Sequence, residues 1–546
     1  MMRNSRLSNS RLNRRSGTLL LIVLVTVAVL ALSVMTFSTL MLVEEKAARV
    51  MTRQIQAKHL ADSGLEYTKL FLARPESEIV ESGGLWNNED SFRGIAAVAD
   101  INNPDRNADI GRFTLVAPNM TDDGIPEGTR YGLINESSKI NINALPYHDF
   151  YDQLRNRDAE PVIARDILMA LPDMTERIAD AIIDFVDMDT ERRENGCENE
   201  YYNGLTPPYN AKNGPLDSID ELLLIREVTP ELLFGLDTNR NGVLDDSEAE
   251  LGGVSSTDSE LHLGWANYLT LYSKETNLTG EGIPKININA DDLDQLYDDL
   301  KSVFNDDWAN FIIMHRLGTY EPSTVALDPE TEVVGASAIQ VTIPEDYEST
   351  AENKFLTVID LMDLSYQATN ADDEDVVVGS PLTSTPGDPS ILLAMQSLTV
   401  YEGNAVPGRI NVRQAPRAVL SGLPVFKDDP ELLDDIISNR EVDLDDPQFF
   451  DANRKFETYL LAESFVDVET MKLLMPYICS GGDVYRAEIV GYFGDGRGTS
   501  RAAAVFDTTL PIPKILMWRD KSHLQTGYSI EALGSELEAI GSELDR

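Results

Sequence analysis

The N-terminal region constrains this chain most, because a basic leader there joins a long apolar run. Five arginines precede the run from Thr18 to Val43, which contains no formally charged residue, and Glu44 and Glu45 follow it. A helix needs about 20 apolar residues to cross the hydrocarbon core of a bilayer, so this run is long enough to span a membrane. The basic flank predicts a cytoplasmic N-terminus, with everything after Val43 on the far side.

A secretory signal peptide also begins with basic residues and an apolar run, but its apolar region is only about 7 to 15 residues long and ends at small residues. The run here is longer and ends at Met41-Leu42-Val43 without such a site. The glycine at its start, Gly17, is similar to the type IV prepilin signature, in which a cytoplasmic-side peptidase cuts after the glycine. On this interpretation residues 1–17 are the leader, 18–43 the transmembrane helix, and Gly17 and Thr18 the processing site.

The helical pattern continues beyond the membrane run. Between Glu44 and Ala73 there is no proline, and Gly64 is the single glycine, so one helix is expected to continue through residues 44–75 until Pro75 ends it. A transmembrane helix of this kind resembles the N-terminal spine of pilins and pseudopilins. A stalk that only spaces a domain from the membrane is the alternative.

Short β-favouring stretches near both ends of the chain predict one sheet. Residues 112–116 and 129–134 are separated by a turn-rich segment, and residues 483–493 and 500–507 flank the tight loop Gly494-Asp495-Gly496-Arg497-Gly498, which predicts a hairpin. The expected fold class is α+β: a spine helix, a small antiparallel pilin-like sheet from 76–138 and 477–510, and a large, mainly helical inserted domain from 139–476. Residues 511–546 are expected to form an acidic tail.

A repeat marks the inserted domain. The hexapeptide Lys139–Ala144 recurs unchanged at 285–290, and a weaker copy lies at 409–416. Each copy predicts a short strand with isoleucines inward and asparagines outward, and the last asparagine of the first two copies is expected to cap the next helix. Paired helices are expected after the copies, at 162–171 and 174–186, 291–304 and 307–315, and 415–420 and 430–440.

The turn in the third pair, Gly422-Leu423-Pro424, resembles a helix-hairpin-helix, a motif that often binds DNA. The chain has 45 basic and 92 acidic residues and a formal net charge of −47, and such a surface repels phosphate backbones. We therefore expect the hairpins to serve packing and the protein to bind no nucleic acid.

The five histidines form no H-E-x-x-H pair and no G-x-S-x-G motif occurs, so no enzymatic activity is expected. Whether Cys197 and Cys479 form a disulfide is left open by the sequence.

One segment matches the calcium-binding loop of EF-hands. Side-chain oxygens stand at loop positions 1, 3, 5, 9 and 12, a backbone carbonyl at position 7 and Gly242 at the sharp turn. The expected calcium ligands are Asp237, Asn239, Asn241, Val243, Asp245 and Glu248. Residues 219–234 are expected to form the entering helix. A second, weaker acidic cluster contains Asp184, Asp187, Asp189, Glu198 and Glu200.

Several motifs together resemble the type II secretion system protein K family of minor pseudopilins. They are Arg14–Gly17, Tyr131–Asn141, Ile183–Asp189 with Glu198–Tyr202, Pro215–Leu222, and the closing hairpin. The resemblance implies a single-pass inner-membrane protein with its bulk in the periplasm, at the tip of the pseudopilus. It also implies other minor pseudopilins, a major pseudopilin and the prepilin peptidase as partners, and calcium bound in the helical domain.

The fifth residue after Gly17 bears on this resemblance. Major pseudopilins carry a glutamate there, which neutralises the N-terminal amine of the subunit above, whereas this chain has Ile22. A subunit without that carboxylate tolerates having nothing above it. Two other hypotheses stay open: an unprocessed membrane-tethered calcium-binding scaffold or adhesin, and a helix-hairpin-helix DNA-uptake receptor.

The prepilin interpretation predicts the mass of the mature chain. Protein purified from membranes of a host that makes the prepilin peptidase should begin at Thr18, and protein from a host without the enzyme should keep residues 1–17. Intact-mass spectrometry distinguishes the two. An uncut leader in both hosts, or a cut beyond Val43, would contradict the pseudopilin interpretation.

Overall fold

The structure is a computed structural model. It describes residues 13–98, 110–121, 125–157, 160–254, 262–323, 333–344, 347, 353–370, 374–385, 388–440, 452–494, 496, 498–524 and 527–534. Helices and strands combine in an α+β fold, as the sequence predicts.

A single helix, α1, runs from Asn13 to Leu72 and forms the spine. Its first part is apolar and exposed, with a mean hydropathy of 2.9 in its most apolar window, and by length and composition it can cross a membrane. Its second part lies on the sheet, where Ala57, Leu60 and Ala61 are buried. The helix therefore joins an apolar anchor directly to the folded base, as the absence of proline predicts.

A seven-stranded antiparallel sheet packs against this helix. Along its main path the strand order is β1-β2-β16-β17-β18, while β3 pairs with β2 and β4 with β16. The strands are β1 (Ile95–Val98), β2 (Gly111–Met120), β3 (Pro126–Arg130), β4 (Ile134–Asn135), β16 (Val484–Phe493), β17 (Thr499–Asp507) and β18 (Lys514–Asp520). The central pairing places Leu115 opposite Ile489. The early strands and the late hairpin thus form one sheet, as the sequence predicts.

The inserted domain is built from short helices and eleven short strands within the described residues. Its helices are Leu145–Arg155, Ile163–Met169, Glu176–Val186, Asn199–Tyr202, Pro230–Phe234, Asp246–Gly252, Leu293–Val303, Asp306–Leu317, Pro389–Ser397, Arg417–Leu420, Pro430–Asn439, Tyr459–Ala462 and Val468–Leu474. Its strands are β5 (Ile140–Asn141), β6 (Leu269–Thr270), β7 (Lys274–Thr276), β8 (Ile286–Asn287), β9 (Val333–Val334), β10 (Ser365–Thr369), β11 (Asp375–Gly379), β12 (Leu398–Thr399), β13 (Ala405–Pro407), β14 (Ile410–Asn411) and β15 (Ile478–Cys479). The paired helices after each copy of the repeat agree with the predicted spacing to within a few residues.

Each copy of the repeat forms the same parallel strand pair. The strand β5 pairs with β6, β8 with β12, and β14 with β15, and all three pairs are parallel. The isoleucines point into the core, and Ile140 and Ile142 are 1% and 0% exposed. The insert is therefore built from three units of one design, each of which begins at an Ile-Asn strand.

The predicted roles of the asparagines are wrong in two respects. Asn141 is buried rather than outward, and it is this first asparagine that accepts a hydrogen bond from the next turn, at 3.0 Å from the amide of Asn143. Asn143 instead accepts from the amide of Leu216 at 2.7 Å and donates to its carbonyl at 3.0 Å. Asn289 makes the same two-way pairing with Phe355. The second asparagine therefore holds a distant loop, which a local capping rule does not foresee.

Units two and three share a buried arginine that sequence inspection overlooked. Arg316 donates to the carbonyls of Ile288 and Ala290 at 2.7 and 2.8 Å, and Arg440 donates to the carbonyl of Val412 at 3.4 Å. Both arginines stand three residues after an Ile-Ile pair in the second helix of the unit. They satisfy carbonyls of the Ile-Asn turn that would otherwise be buried without donors.

The expectation of an acidic tail from 511 to 546 is wrong in its first part. The strand β18 extends the sheet next to β17, and Leu533 is fully buried. The carbonyl of Leu533 accepts from the hydroxyl of Thr114 at 2.8 Å, which fastens this segment to β2. Because this segment is rich in glycine and acidic residues, the sequence did not predict these contacts. Residues 535–546 lie outside the described part of the chain.

Both cysteines are buried and free, so Cys197 and Cys479 form no disulfide.

The close approach of α1 to the sheet yields a stability prediction. A Cβ added at Gly491 would lie 2.3 Å from the carbonyl oxygen of Ala57 and 2.6 Å from the amide of Ala61. Gly491→Ala should therefore lower the free energy of unfolding by about 1–3 kcal/mol, the usual cost of overpacking. Urea unfolding followed by tryptophan fluorescence measures this.

The matched control is Gly280→Ala, because a Cβ at Gly280 meets nothing within 4 Å. Equal unfolding midpoints for the two variants would contradict the tight packing of α1 on β16.

Candidate metal centres

The EF-hand-like loop lies between short helices on the side of the insert that faces the sheet. The entering element is the five-residue helix Pro230–Phe234, capped by Thr229, and the exit helix is Asp246–Gly252. The expected entering helix at 219–234 is wrong, because a 3₁₀ turn at Ile219–Leu224 precedes Glu227, whose φ of +65° interrupts any continuous helix. The loop keeps its turn chemistry, with Gly242 at a φ of +84°.

The first loop residue already has the hydrogen bonds that such a loop requires. Asp237 is 1% exposed, and its Oδ2 accepts from the amide of Gly242 at 2.9 Å while Oδ1 accepts from the amide of Asn241 at 3.0 Å. Asn239 and Asn241 accept from the amides of Asn241 and Val243, each at 2.9 Å. Positions 1, 3 and 5 therefore face inward around one centre.

Glu248, the last loop residue, closes the loop through hydrogen bonds from backbone amides. Its Oε1 accepts from the amides of Thr238 and Asn239 at 2.9 and 3.1 Å, and its Oε2 from the amide of Asp245 at 3.2 Å. Asp245 accepts from the side-chain amide of Asn239 at 2.7 Å. Burial raises the pKa of Asp237 to about 6, and the nearby Glu248 adds to that shift. The loop thus confines three carboxylates, two of which are buried.

The loop is attached to the sheet by a buried arginine of β17. Arg501 donates from its two terminal nitrogens to the carbonyls of Asn239 and Arg240, each at 2.6 Å, and from Nε to Glu488 at 3.3 Å. Asn241 also donates to the carbonyl of Gly527 at 3.0 Å. The loop therefore serves as part of the joint between the insert and the base.

The second acidic cluster has a feature that the first lacks. Four of its buried oxygens have no hydrogen-bond partner: Oδ2 of Asp184, Oδ1 of Asp187, Oε1 of Glu198 and Oδ1 of Asn213. Buried oxygens of this kind are costly unless a donor or a cation satisfies them. A hard cation such as Ca²⁺ takes carboxylate and amide oxygens of this type as ligands.

Burial and neighbouring carboxylates raise the pKa values in the same cluster. Burial raises the pKa values of Asp184 and Asp187 to about 7, and the neighbouring carboxylates raise them further. The pKa of Glu198 is also raised, again mainly by burial. Arg193 opposes these shifts, with its backbone amide 3.3 Å from Asp184 Oδ1. The charged forms of these carboxylates are therefore under-compensated.

The structure changes the membership of this cluster. Glu200 is exposed on the short helix Asn199–Tyr202 and supplies no buried oxygen, and Asp189 is exposed too, with its carboxylate bonded to the amide of Glu191 at 2.8 Å. Asn213, which sequence reasoning missed, joins the cluster with a φ of +45°. The Asn213-Gly214 pair, which favours a turn, was the signal available in the sequence. A Cβ at Gly196 would lie 1.9 Å from Asp184 Oδ2, so only glycine leaves room there.

Neither group is a finished metal centre. In the described part of the chain, no three His, Cys, Asp or Glu side chains are already gathered as they would be around a bound ion. Metal binding at either group therefore requires carboxylates to rotate towards a shared point. Rotation breaks fewer hydrogen bonds in the second cluster, where Asp184 and Glu198 each accept one backbone hydrogen bond of 3.3 Å, than in the loop, where Asp237 and Glu248 accept several.

The predicted processing site lies on α1. Gly17 and Thr18 fall within its first turns, so the helix begins before the glycine. Ile22, the fifth residue after Gly17, is 60% exposed on the apolar part of the helix.

Comparison with known proteins identifies the beginning of the insert. Residues 138–237, which include the second acidic cluster, match the family described as type II secretion system protein K. No curated protein matches the chain. A chain of the GspK–GspI–GspJ complex from the enterotoxigenic Escherichia coli type 2 secretion system aligns with 87% of this chain and 97% of its own length, at 10% identity and a TM-score of 0.27. For residues 138–237, the family match confirms the resemblance to type II secretion system protein K that the sequence motifs indicate.

Proposed function

We propose that this protein is a minor pseudopilin that occupies the tip of a type II secretion pseudopilus and helps to start its assembly. The observation that carries the proposal is the protein K match of residues 138–237, in an insert that stands on a helix-and-sheet base. In this arrangement α1 anchors the chain in the inner membrane and the insert lies in the periplasm. The bulky insert would obstruct a subunit stacked above it, which favours an end position.

The anchor helix supports the same placement. Ile22 leaves the fifth position without the carboxylate that would neutralise the amine of a subunit above. Past the membrane run, Val50 and Met51 remain 69% and 67% exposed on α1. Exposed apolar side chains on a helix are favourable when another apolar helix covers them. We take these residues to contact the spine helices of other pseudopilins, which include two further minor pseudopilins and the major one.

The helix-hairpin-helix turn of the third unit supports a packing role rather than DNA binding. A Cβ at Gly422 would lie 2.6 Å from the carbonyl oxygen of Asp166, so the turn is pressed against the first unit. The two cations near it are paired, Lys427 with Asp166 at 2.7 Å and Arg417 with Asp434. A phosphate backbone would find neither a free turn nor a free cation there.

The tip position predicts where the protein lies on an assembled filament. Immunogold labelling of pseudopili from a strain that overproduces the major pseudopilin should place this protein at one end only, while labelled major pseudopilin follows the whole length. Ile22→Glu supplies the missing carboxylate but leaves the insert in place, so its label should stay at one end. Label along the length with the unaltered chain would contradict the tip role.

We further propose that calcium binds the second cluster through Asp184, Asp187, Glu198 and Asn213. The orphaned oxygens fit a hard oxygen-binding cation. An ion there would supply the positive charge that the crowded carboxylates lack. Since the pKa values of Asp184 and Asp187 lie near 7, protons compete with calcium for the site, and calcium affinity should weaken as the pH falls below about 7.

The EF-hand-like loop is a second proposed calcium site, with Asp237, Asn239, Asn241, Val243, Asp245 and Glu248 as ligands.

Thermal unfolding of the full chain in detergent, with calcium and with EDTA, tests both calcium sites. An ion that binds only the folded state stabilises it by about 2.7 kcal/mol at one hundred times its Kd. Asp187→Asn should remove the part of the calcium-dependent rise in Tm that the cluster contributes. In EDTA the same variant should be no less stable than the unaltered chain, because it removes a charge that burial disfavours. Asp237→Asn tests the loop in the same way.

The matched control is Asp246→Asn, which changes an exposed carboxylate within the loop that is outside the predicted ligand set. It should keep the whole rise in Tm. An undiminished rise in Asp187→Asn would contradict calcium binding at the cluster, and an undiminished rise in Asp237→Asn would contradict binding at the loop.

A further inference from the structure

A cavity of about 200 Å³ lies where the insert meets the sheet. Its walls come from β3, β16 and β18 on one side and from the first unit of the insert on the other. Aromatic and aliphatic side chains cover much of its surface, among them Trp86, Phe234 and Met517. A cavity with these walls is suited to the apolar body of a small molecule.

The charge that lines this cavity is opposite to the charge of the chain. The lining holds six cationic side chains and three carboxylates, whereas the whole chain has 45 basic and 92 acidic residues. The cationic members are Arg130, Lys139, Arg240, Arg486, Arg519 and Lys521. Arg130 is buried and the other five are half-buried, and such an excess of cations in a strongly acidic protein calls for a counter-charge.

The carboxylates in and beside the cavity are already occupied. Glu488 accepts from Arg501 at 3.3 Å and from Lys521, and Glu136, which lies behind the wall, accepts from Arg486 at 2.6 Å. Asp217 pairs with Lys212 at 2.7 Å. The carboxyl oxygens of Asp237 accept from the amides of its own loop. No carboxylate of the lining is left over to serve as a counter-ion.

Two cations of the lining are consequently without a carboxylate among the described residues. Arg130 is 3% exposed, its guanidinium lies 3.5 Å from the centre of the Trp86 ring, and one of its terminal nitrogens donates to the carbonyl of Trp86 while its Nε has no hydrogen-bond partner. Lys139 makes no side-chain hydrogen bond or ion pair with any described residue. Burial, Arg486 and Lys521 lower its pKa to about 8, although Glu136 and Glu488 act in the opposite direction. The first copy of the repeat thus begins with a lysine whose ammonium lacks a direct partner in the described part of the chain.

The lysine at the equivalent position of the second copy shows that the lack of a direct partner is not a property of the repeat. Lys285 opens the identical hexapeptide and is half-buried like Lys139, but its ammonium donates to the carbonyl of Met395 at 2.7 Å. Lys285 does not line the cavity. The free ammonium therefore belongs to the cavity.

We propose that this cavity binds a small carboxylate with an apolar body, with the carboxylate at Lys139 and the body against the aromatic wall. The ligand class follows from the lining, because inorganic phosphate would leave the apolar walls unfilled and a neutral molecule would leave the ammonium of Lys139 unpaired. The same chemistry is offered by a free organic acid and by the C-terminal carboxylate of a peptide. Neither source depends on the role of the protein in the pseudopilus.

Isothermal titration calorimetry of the full chain in a non-ionic detergent tests the site at constant ionic strength. Hexanoate represents a free acid and N-acetyl-leucine a peptide terminus, and hexanamide and N-acetyl-leucinamide are their uncharged counterparts. At least one acid should bind, and its amide should bind at least tenfold more weakly. Stronger binding of hexanoate would indicate a free acid as the ligand, and stronger binding of N-acetyl-leucine a chain terminus.

Lys139→Met keeps the length of the side chain and removes the charge, so it should weaken the acid about tenfold or more, since a charge-assisted hydrogen bond is lost. The matched control, Lys285→Met, should bind the acid as the unaltered chain does. Equal urea midpoints for Lys139→Met and the unaltered chain would show that a weaker affinity is not due to unfolding.

Three results would overturn the proposal. They are no binding of either acid, equal binding of an acid and its amide, and equal affinity of Lys139→Met and the unaltered chain. Trp86 lies under Arg130 in the cavity wall, so Trp86→Phe should also remove any change in tryptophan fluorescence that the acid causes.

Discussion

The pairing of β2 with β16 is the constraint on which the rest of the molecule depends. Leu115 and Ile489 are neighbours across two central strands of the sheet, although the whole inserted domain separates them in sequence. The insert must therefore leave the sheet and return to it at nearly the same place. β4 and β15 meet this requirement, since β4 pairs with the start of β16 and β15 ends shortly before it. In each unit the first strand pairs in parallel with a later strand of the same unit. The units can therefore follow one another along the chain while the two ends of the insert stay close together.

Elements with a local signal could be predicted from sequence. The proline-free stretch after Val43 predicts α1, the glycine loop predicts the β16–β17 hairpin, and the repeated Ile-Asn strands mark the three units. Elements defined by distant partners could not be predicted. The strand β18 is recognisable only because β17 lies beside it, and the pairing of Asn143 with Leu216 joins residues that no helix-capping rule connects.

The distinction between local signals and distant partners also applies to the candidate sites. The EF-hand-like loop is a contiguous pattern, and its inward hydrogen bonds at Asp237 follow from the sequence. The second cluster is assembled from a helix end, a loop and a turn, so its unpartnered oxygens and the contribution of Asn213 depend on the fold. Spacing alone ranked the loop first. In the structure the loop carboxylates accept backbone hydrogen bonds, whereas one oxygen each of Asp184, Asp187 and Glu198 has no hydrogen-bond partner.

Buried charge joins the insert to the base. Arg501, Glu488 and Glu136 are buried and Arg486 is half-buried, and they form two ion pairs near the contact of β16 and β17 with the first unit. Buried ion pairs contribute little net stability, because desolvation offsets most of their attraction, but a misplaced partner leaves an uncompensated charge and costs several kcal/mol. Such a network therefore penalises wrong placements of the insert more than it rewards the correct one.

The same reasoning links the two places where charge is left unbalanced. The second cluster has more carboxylate than cation around it, and the cavity lining has more cation than carboxylate. The cluster and Lys139 belong to the first unit of the insert, whereas Arg130 lies on β3 of the sheet. Our two proposals give each place a counter-charge from solution, a cation for the cluster and an organic anion for the cavity. Both places lie in or against the first unit, which carries the protein K match.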